Sequence, residues 1–111
     1  MPSAPTSAET SGTKLTYIVD IDGTIFHTFE NDYKNACPIL SRLARINYLF
    51  DQGHTIIYWT ARGGRSGIDW HDFTVKQLYA VGCKYSRLAM NKPSYDIWID
   101  DKAIHSDEFF G

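Results

Sequence analysis

The stretch YIVDIDGTIF, residues 17–26, places two acids directly after an apolar run. Together with the residues before it, KLTYIVDID is predicted to form a β-strand that is apolar on both faces, as the buried strands of parallel sheets are. Asp20 and Asp22 would lie at the end of this strand, and Gly23 would bend the chain immediately after them. Two carboxylates thus follow a segment that is expected to be deeply buried.

Strand and helix patterns alternate along the rest of the chain, which predicts parallel β-α-β units and a three-layer α/β/α sandwich around a Rossmann-like sheet. The final residues suit either a short helix or an ordered tail. The predicted elements are a helix from Pro38 towards Gly53, a strand over HTIIYWTA (54–61), a helix from near Asp69 to Gly82, and strands over SRLAM (86–90) and YDIWID (95–100). In the second helix, Val75, Leu78 and Tyr79 are expected to face the core.

Length and composition limit the possibilities further. The 111 residues suit one soluble domain, here residues 14–111, and residues 1–13 resemble a disordered tail rich in Ser, Thr, Ala and Pro. A net charge of -2 provides no dominant basic field for a nucleic acid, so such a partner is not favoured. No apolar run is long enough to span a bilayer, so no membrane partner is expected and a cytoplasmic location is the expectation.

Polar residues follow three of the predicted strands, and parallel sheets bind ligands at the carboxyl ends of their strands. The second predicted strand leads to Thr60, and the fourth arrives at Asp100 and Asp101. Lys92 comes shortly before the fourth. These side chains are therefore expected to meet Asp20 and Asp22 at one edge of the sheet.

Four clustered carboxylates repel one another, and a divalent cation removes that cost. Mg²⁺ prefers oxygen ligands and commonly binds through carboxylates, water and a phosphate group. With Lys92 and Thr60 alongside, the arrangement suits phosphoryl transfer. One first-strand acid can act as a nucleophile that forms an aspartyl-phosphate, while the other protonates the leaving group and activates water.

Three stretches resemble the signatures of the haloacid dehalogenase (HAD) superfamily of phosphohydrolases: DIDGTIF, IIYWTAR and NKPSYDIWIDD. The resemblance implies that Asp20 is the nucleophile and Asp22 the general acid/base, with Thr60 and Lys92 also catalytic. It further implies a Mg²⁺ site that includes Asp20, Asp22, Asp100 and Asp101. Residues expected to shape the turn or bind substrate are Gly23, Thr24, Ala61, Arg62 and Arg65.

The segments between these signatures are too short to hold a separate cap domain. The chain therefore resembles the small capless phosphatases of capsular polysaccharide biosynthesis, which implies a sugar phosphate or a similar phosphorylated metabolite as substrate. A nucleotide or polynucleotide 3′-phosphatase is the alternative. An open site could also be covered by a neighbouring subunit, so a homo-oligomer stays open.

A non-enzymatic phosphoacceptor, such as a receiver domain of two-component signalling, uses similar residue types. In a receiver, however, the acid pair follows the first strand and the phosphorylated Asp lies on a later one. Here the acid pair Asp100–Asp101 comes last, and Asp22 stands two residues beyond Asp20. This order favours hydrolysis over simple phosphate acceptance.

Overall fold

The computed structural model describes residues 12–111 and contains a parallel three-stranded sheet. Its strands are β1 (Thr16–Val19), β4 (Thr55–Trp59) and β5 (Arg87–Ala89), in the order β1-β4-β5. The predicted tail, residues 1–13, lies almost entirely outside the described residues. A two-stranded antiparallel arm, β2 (Phe26–His27) and β3 (Cys37–Pro38), follows β1.

Helices α1 (Leu40–Asp51) and α2 (His71–Ala80) connect the three strands. Both crossovers run in the same direction across the sheet, and right-handed connections then place both helices on the same face. The core confirms this placement, because apolar side chains of both helices share one cluster with the sheet. Its members include Val19, Ile56 and Tyr58 of the sheet, Leu43, Ile46 and Leu49 of α1, and Leu78 of α2.

Among residues 12–111, the other face of the sheet is largely uncovered, so the third layer of the predicted sandwich is not confirmed. Ile18 is 62% exposed, although its strand was predicted to be buried on both faces. Ile18, Ile57, Trp59, Arg87 and Ala89 surround a hollow of about 300 Å³ on this face. The α/β class and the parallel sheet are confirmed, but the covering of the second face is not.

The predicted fourth strand is the main error of the sequence analysis. Residues 95–100 form no strand, and β1 has β4 as its one strand neighbour in the described residues. Parallel strands need a crossover of about a dozen residues, whereas only residues 90–94 separate β5 from this segment. The segment has the sequence pattern of a strand, but its connection to β5 is too short for it to become a fourth parallel strand.

The helices agree with the sequence more closely. The second helix was predicted to begin near Asp69, and α2 begins two residues later; the Asp69 carboxylate accepts a hydrogen bond from the backbone N–H of His71 (2.9 Å), while Trp70 is the N-cap residue. Pro38 belongs to β3 rather than to α1, which begins two residues later. The end of the chain forms a short helix, α3 (Ser106–Phe110). No helix among residues 12–111 is long and apolar enough to cross a membrane.

Two adjacent residues of α2 provide a test of this packing. Leu78 is fully buried, whereas Tyr79, which was predicted to face the core, is 85% exposed. Leu78→Ala should lower the free energy of unfolding by about 2–5 kcal/mol, because it removes buried methyl groups and leaves a cavity. Tyr79→Ala should change it by less than about 0.5 kcal/mol. Urea unfolding followed by circular dichroism measures both, and equal losses would contradict the assigned helix face.

Candidate active site

A tight turn after β1 fixes the two predicted catalytic acids. Ile21 and Ile25 are fully buried, and the backbone N–H groups of Thr24 and Ile25 donate to the Ile21 carbonyl (3.1 and 2.9 Å). Gly23 takes φ +81° in this turn, a conformation that glycine adopts without strain. Because the two isoleucines point into the core, Asp20 and Asp22 are held in place at the carboxyl end of β1.

Asp20 lies beside a lysine, as the sequence predicted. The Lys92 ammonium is 3.4 Å from Asp20 Oδ1, and the Thr24 hydroxyl donates to Asp20 Oδ2 (3.1 Å). The backbone supports this contact, since the Lys92 N–H donates to the Thr60 carbonyl at the end of β4 (3.0 Å). Asn91 takes φ +64°, which turns the chain after β5 towards the end of β1.

An opening of about 340 Å³ adjoins Asp20 and Lys92. Two cations, Lys92 and Arg65, lie on its wall beside the carboxylate, and the ring of Tyr95 forms another part of the wall. An anionic group could enter here and meet the carboxylate between the two positive charges. The remaining lining residues are Ala61, Pro93 and Ser94.

Asp22 faces a different partner, a buried arginine. Arg62 Nε and Nη2 donate to Asp22 Oδ2 and Oδ1, both at 2.8 Å, and the Thr28 hydroxyl also donates to Oδ1 (2.6 Å). This is a bidentate ion pair, the geometry in which a guanidinium holds a carboxylate most firmly. The resemblance implied that Asp22 is the general acid/base, but the structure holds its carboxylate against Arg62, and Asp22 does not line the opening.

Arg62 is enclosed on every side, and its side chain has no exposed surface. Its remaining nitrogen, Nη1, donates to Gln77 Oε1 (2.6 Å) and Thr74 Oγ1 (3.2 Å) on α2. The guanidinium carbon lies 4.7 Å from the centre of the Tyr33 ring, within cation–π range. Burial raises the pKa of Tyr33, and the nearby Asp22 carboxylate adds to this increase. Arg62 therefore joins four segments of the chain.

The prediction that Arg62 binds substrate is not supported by its position, because a fully enclosed guanidinium does not face the opening. Arg65 and Ala61 do line the opening, and their role in binding substrate stays a prediction. Gly23 and Thr24 belong to the turn that carries Asp20. The Gly-rich loop also has a tight point at Gly63, where an added Cβ would lie 2.1 Å from the Ile68 carbonyl oxygen.

Thr60 is almost fully buried, and its hydroxyl accepts a hydrogen bond from the Arg62 N–H (3.1 Å). Its backbone also joins two segments, since the Thr60 N–H donates to the Ala89 carbonyl (3.0 Å). The sequence predicted that this residue binds the phosphoryl group. In the structure it secures the start of the loop that carries Arg62 and Arg65.

Asp100 and Asp101 are exposed and do not form a metal cluster with the first-strand acids. Among residues 12–111, no group of three or more His, Cys, Asp or Glu side chains is placed to hold a metal ion. The Asp100 carboxylate instead accepts from the Lys102 N–H (2.7 Å), and this hydrogen bond holds the pKa of Asp100 below its ordinary value. The predicted Mg²⁺ site is therefore not assembled within one chain.

Several residues of the site escaped the sequence analysis. Thr28, Thr74 and Gln77 bind Asp22 or Arg62, and Tyr95 lines the opening. The sequence contained one indication of this role. Thr74 precedes Leu78 by four residues and so lies on the same buried face of α2, where apolar residues are usual. A polar residue on a buried helix face needs a hydrogen-bond partner.

The comparisons with known proteins support the fold. No family model matches the chain, and no curated protein does. The chain is similar to a solved structure of a structural-genomics target from Vibrio cholerae, whose name states no activity. The two are 27% identical, 85% of each chain is covered, and the TM-score is 0.75. This likeness supports a compact α/β domain and leaves the activity to be inferred from the site.

Two arginines of the same loop provide a test of the Asp22 anchor. Arg62→Met should lower the free energy of unfolding by about 3 kcal/mol, because it leaves a partly buried carboxylate without its cation. Arg65→Met should change it by less than about 0.5 kcal/mol, since Arg65 is exposed. Urea unfolding at one protein concentration compares them. An Arg62→Met variant as stable as the wild type would show that the pair does not secure the turn.

Proposed function

We propose that the protein is a phosphomonoester hydrolase that acts through an aspartyl-phosphate on Asp20. The observation that carries this proposal is the placement of Asp20 at the opening, with the Lys92 ammonium 3.4 Å away and Arg65 on the same wall. A carboxylate nucleophile needs an anionic phosphoryl group brought close to it in spite of charge repulsion. The positive side chains that line the same opening reduce that repulsion.

In the proposed first step, an Asp20 oxygen attacks phosphorus and the bond from phosphorus to the ester oxygen breaks. Lys92 lies close enough to neutralise charge on the phosphoryl oxygens. In the second step, water attacks phosphorus and releases inorganic phosphate, which restores the Asp20 carboxylate. No net oxidation or reduction occurs in either step.

Asp22 is the proposed acid/base, which gives a proton to the departing alkoxide and later takes one from water. Because the structure directs both Asp22 oxygens at Arg62, this role requires Asp22 to turn from Arg62 towards the opening. The turn is short, and Asp22 follows Asp20 by only two positions. Arg62 is then a positioning residue that holds Asp22 ready near the end of β1.

Mg²⁺ remains part of the proposal as the sequence predicted it, together with the three-layer HAD-like fold. Within a single chain the residues do not fit the metal, because Asp100 and Asp101 are not grouped with Asp20 and Asp22. No step is therefore assigned to the metal. A Mg²⁺ requirement would show that the two distant acids reach the site in the active form.

A small phosphorylated metabolite, such as a sugar phosphate, is the proposed substrate class. The opening is wide and has no cap domain above it in the described residues, so it admits a group larger than phosphate. The exposed Tyr95 ring offers a flat apolar surface at its wall, against which a sugar ring can pack. Nucleotides or polynucleotide 3′ ends would be alternatives of the same chemistry.

Turnover of a chromogenic phosphate monoester, with and without Mg²⁺, tests the proposal. Asp20→Asn should abolish turnover, because the amide oxygen is a poor nucleophile. Asp22→Asn should reduce it by about 10²–10⁴-fold, the usual contribution of a general acid/base. Asp51→Asn is the matched control, since Asp51 is exposed and pairs with Lys84 (2.9 Å) away from the opening.

Equal activity in the Asp20→Asn and Asp51→Asn variants would overturn the proposed nucleophile. Stoichiometric labelling of the protein without release of phosphate would instead indicate a phosphoacceptor of the receiver kind. A screen of phosphorylated sugars, nucleotides and 3′-phosphorylated oligonucleotides then ranks the substrate classes by kcat/KM.

A further inference from the structure

Residues 96–101 carry large apolar side chains that the other described residues leave exposed. Ile97 is 79% exposed and Ile99 is 94% exposed. Trp98 is partly covered, because its ring packs edge-on against Trp59 on the open face of the sheet (5.9 Å between centroids). Adjacent exposed apolar side chains of this size indicate a surface that another molecule covers.

A complementary surface exists on the same chain. The far edge of β1 has no strand beside it in the described part of the structure, and Ile18 of this strand is exposed on the open face of the sheet. An uncovered edge of this kind pairs readily with an extended segment. The sequence YDIWID has the composition of a β-strand, rich in aromatic and β-branched residues.

The connection is too short for the segment to fill this edge of its own sheet as a parallel strand. If Asp100 lay beside Asp20 at the rim, the carboxyl end of the sheet, residue 96 would lie beside Thr16. At about 3.3 Å per residue, that position is about 13 Å from the rim towards the amino end of β1. Residue 92 is hydrogen-bonded to Thr60 at the end of β4 (3.0 Å), and β4 lies two strand spacings from a strand at the free edge of β1. The direct distance from residue 92 to the required position of residue 96 is therefore about 16 Å. Four residues span at most about 14 Å, with nothing left for the turn.

An antiparallel strand from the same chain is compatible with the length of the connection, but it would leave Asp100 and Asp101 far from Asp20. It would start near Lys92 at the rim and run down β1, which places Asp100 about 13 Å from the rim. The acids would then lie at the wrong end of the strand for any shared role with Asp20. A second copy can place the amino end of its β1 within about 14 Å of residue 92, the reach of the same four residues, because its position is not fixed by the sheet of the first chain.

We propose that residues 96–101 of one copy add as a parallel strand to β1 of a second copy, that Tyr95 stays at the opening of its own chain, and that Asp100 and Asp101 thereby reach the partner's Asp20. The exchange is reciprocal, so a two-fold dimer would contain two completed sheets and two completed acid clusters. The pairing itself follows from the strand edge and the chain length. Its catalytic consequence rests on the proposed phosphatase function.

Disulfide trapping tests the pairing without any activity measurement. With Asp100 opposite Asp20, residue 98 lies opposite residue 18. In a background of Cys37→Ser and Cys83→Ser, which removes both free thiols, we compare Ile18→Cys/Trp98→Cys with Ile18→Cys/Tyr79→Cys. The first should form a disulfide between chains under mild oxidation, and the second should not, because Tyr79 lies on α2 over the other face.

Sedimentation equilibrium provides a second readout that does not depend on the introduced thiols. The wild type should be a dimer, and Ile97→Asp/Ile99→Asp should be a monomer, because the two charges would be buried in the pairing. Ile104→Asp is the control, since Ile104 is 58% exposed but lies outside the segment. A monomeric wild type at about 100 μM, or a disulfide formed only within one chain, would overturn strand exchange.

Mixing two inactive variants tests the catalytic consequence. Asp20→Asn and Asp100→Asn/Asp101→Asn are unfolded together and refolded. If the acids come from the partner, half of the dimers are mixed and one of their two sites is intact, so about a quarter of wild-type activity returns. If the acids act within their own chain, no activity returns, and the shared site is disproved. Interchain disulfides in the Ile18→Cys/Trp98→Cys variant, together with a wild type that lacks phosphatase activity, would support strand exchange and overturn the proposed function instead.

Discussion

The buried pair of Arg62 and Asp22 is the interaction on which the site depends. One guanidinium uses two nitrogens for the Asp22 carboxylate and the third for Thr74 and Gln77. It thereby fixes the turn after β1, the loop after β4 and one face of α2 to one another. A charge without exposed surface needs such complete pairing, because an unpaired one would cost several kcal/mol. The position of Asp20 at the opening follows from the same fixed turn.

The sequence was sufficient to predict those features of this region that depend on neighbouring residues. The strand before Asp20 and the Gly23 bend are each determined by neighbouring residues, and the structure confirms both, although Ile18 of the strand is exposed. The contact between Lys92 and Asp20 was also predicted, because parallel strands end at one rim. The Arg62 environment could not be predicted, since its partners come from the turn after β1, from α2 and from the loop between β2 and β3.

The prediction of the fourth strand was wrong because strand propensity takes no account of the length of the connecting segment. Residues 95–100 have a suitable pattern, but the five residues before them cannot return the chain to the amino end of the sheet. The third layer is not confirmed for a related reason, because two crossovers in one direction place both helices over Ile56 and Tyr58. Connection length and crossover direction, rather than composition, decided these two features. The uncovered apolar surfaces at Ile18 and Ile99 are their direct result.

The central claim is that Asp20 receives the phosphoryl group. Borohydride reduces an aspartyl-phosphate to homoserine but leaves a free carboxylate unchanged, so it marks the residue that carries the phosphoryl group. We expect peptide mass spectrometry, after quenching during turnover of a phosphate monoester and reduction, to find homoserine at position 20. Unmodified aspartate at position 20, or homoserine at a different position, would contradict the account.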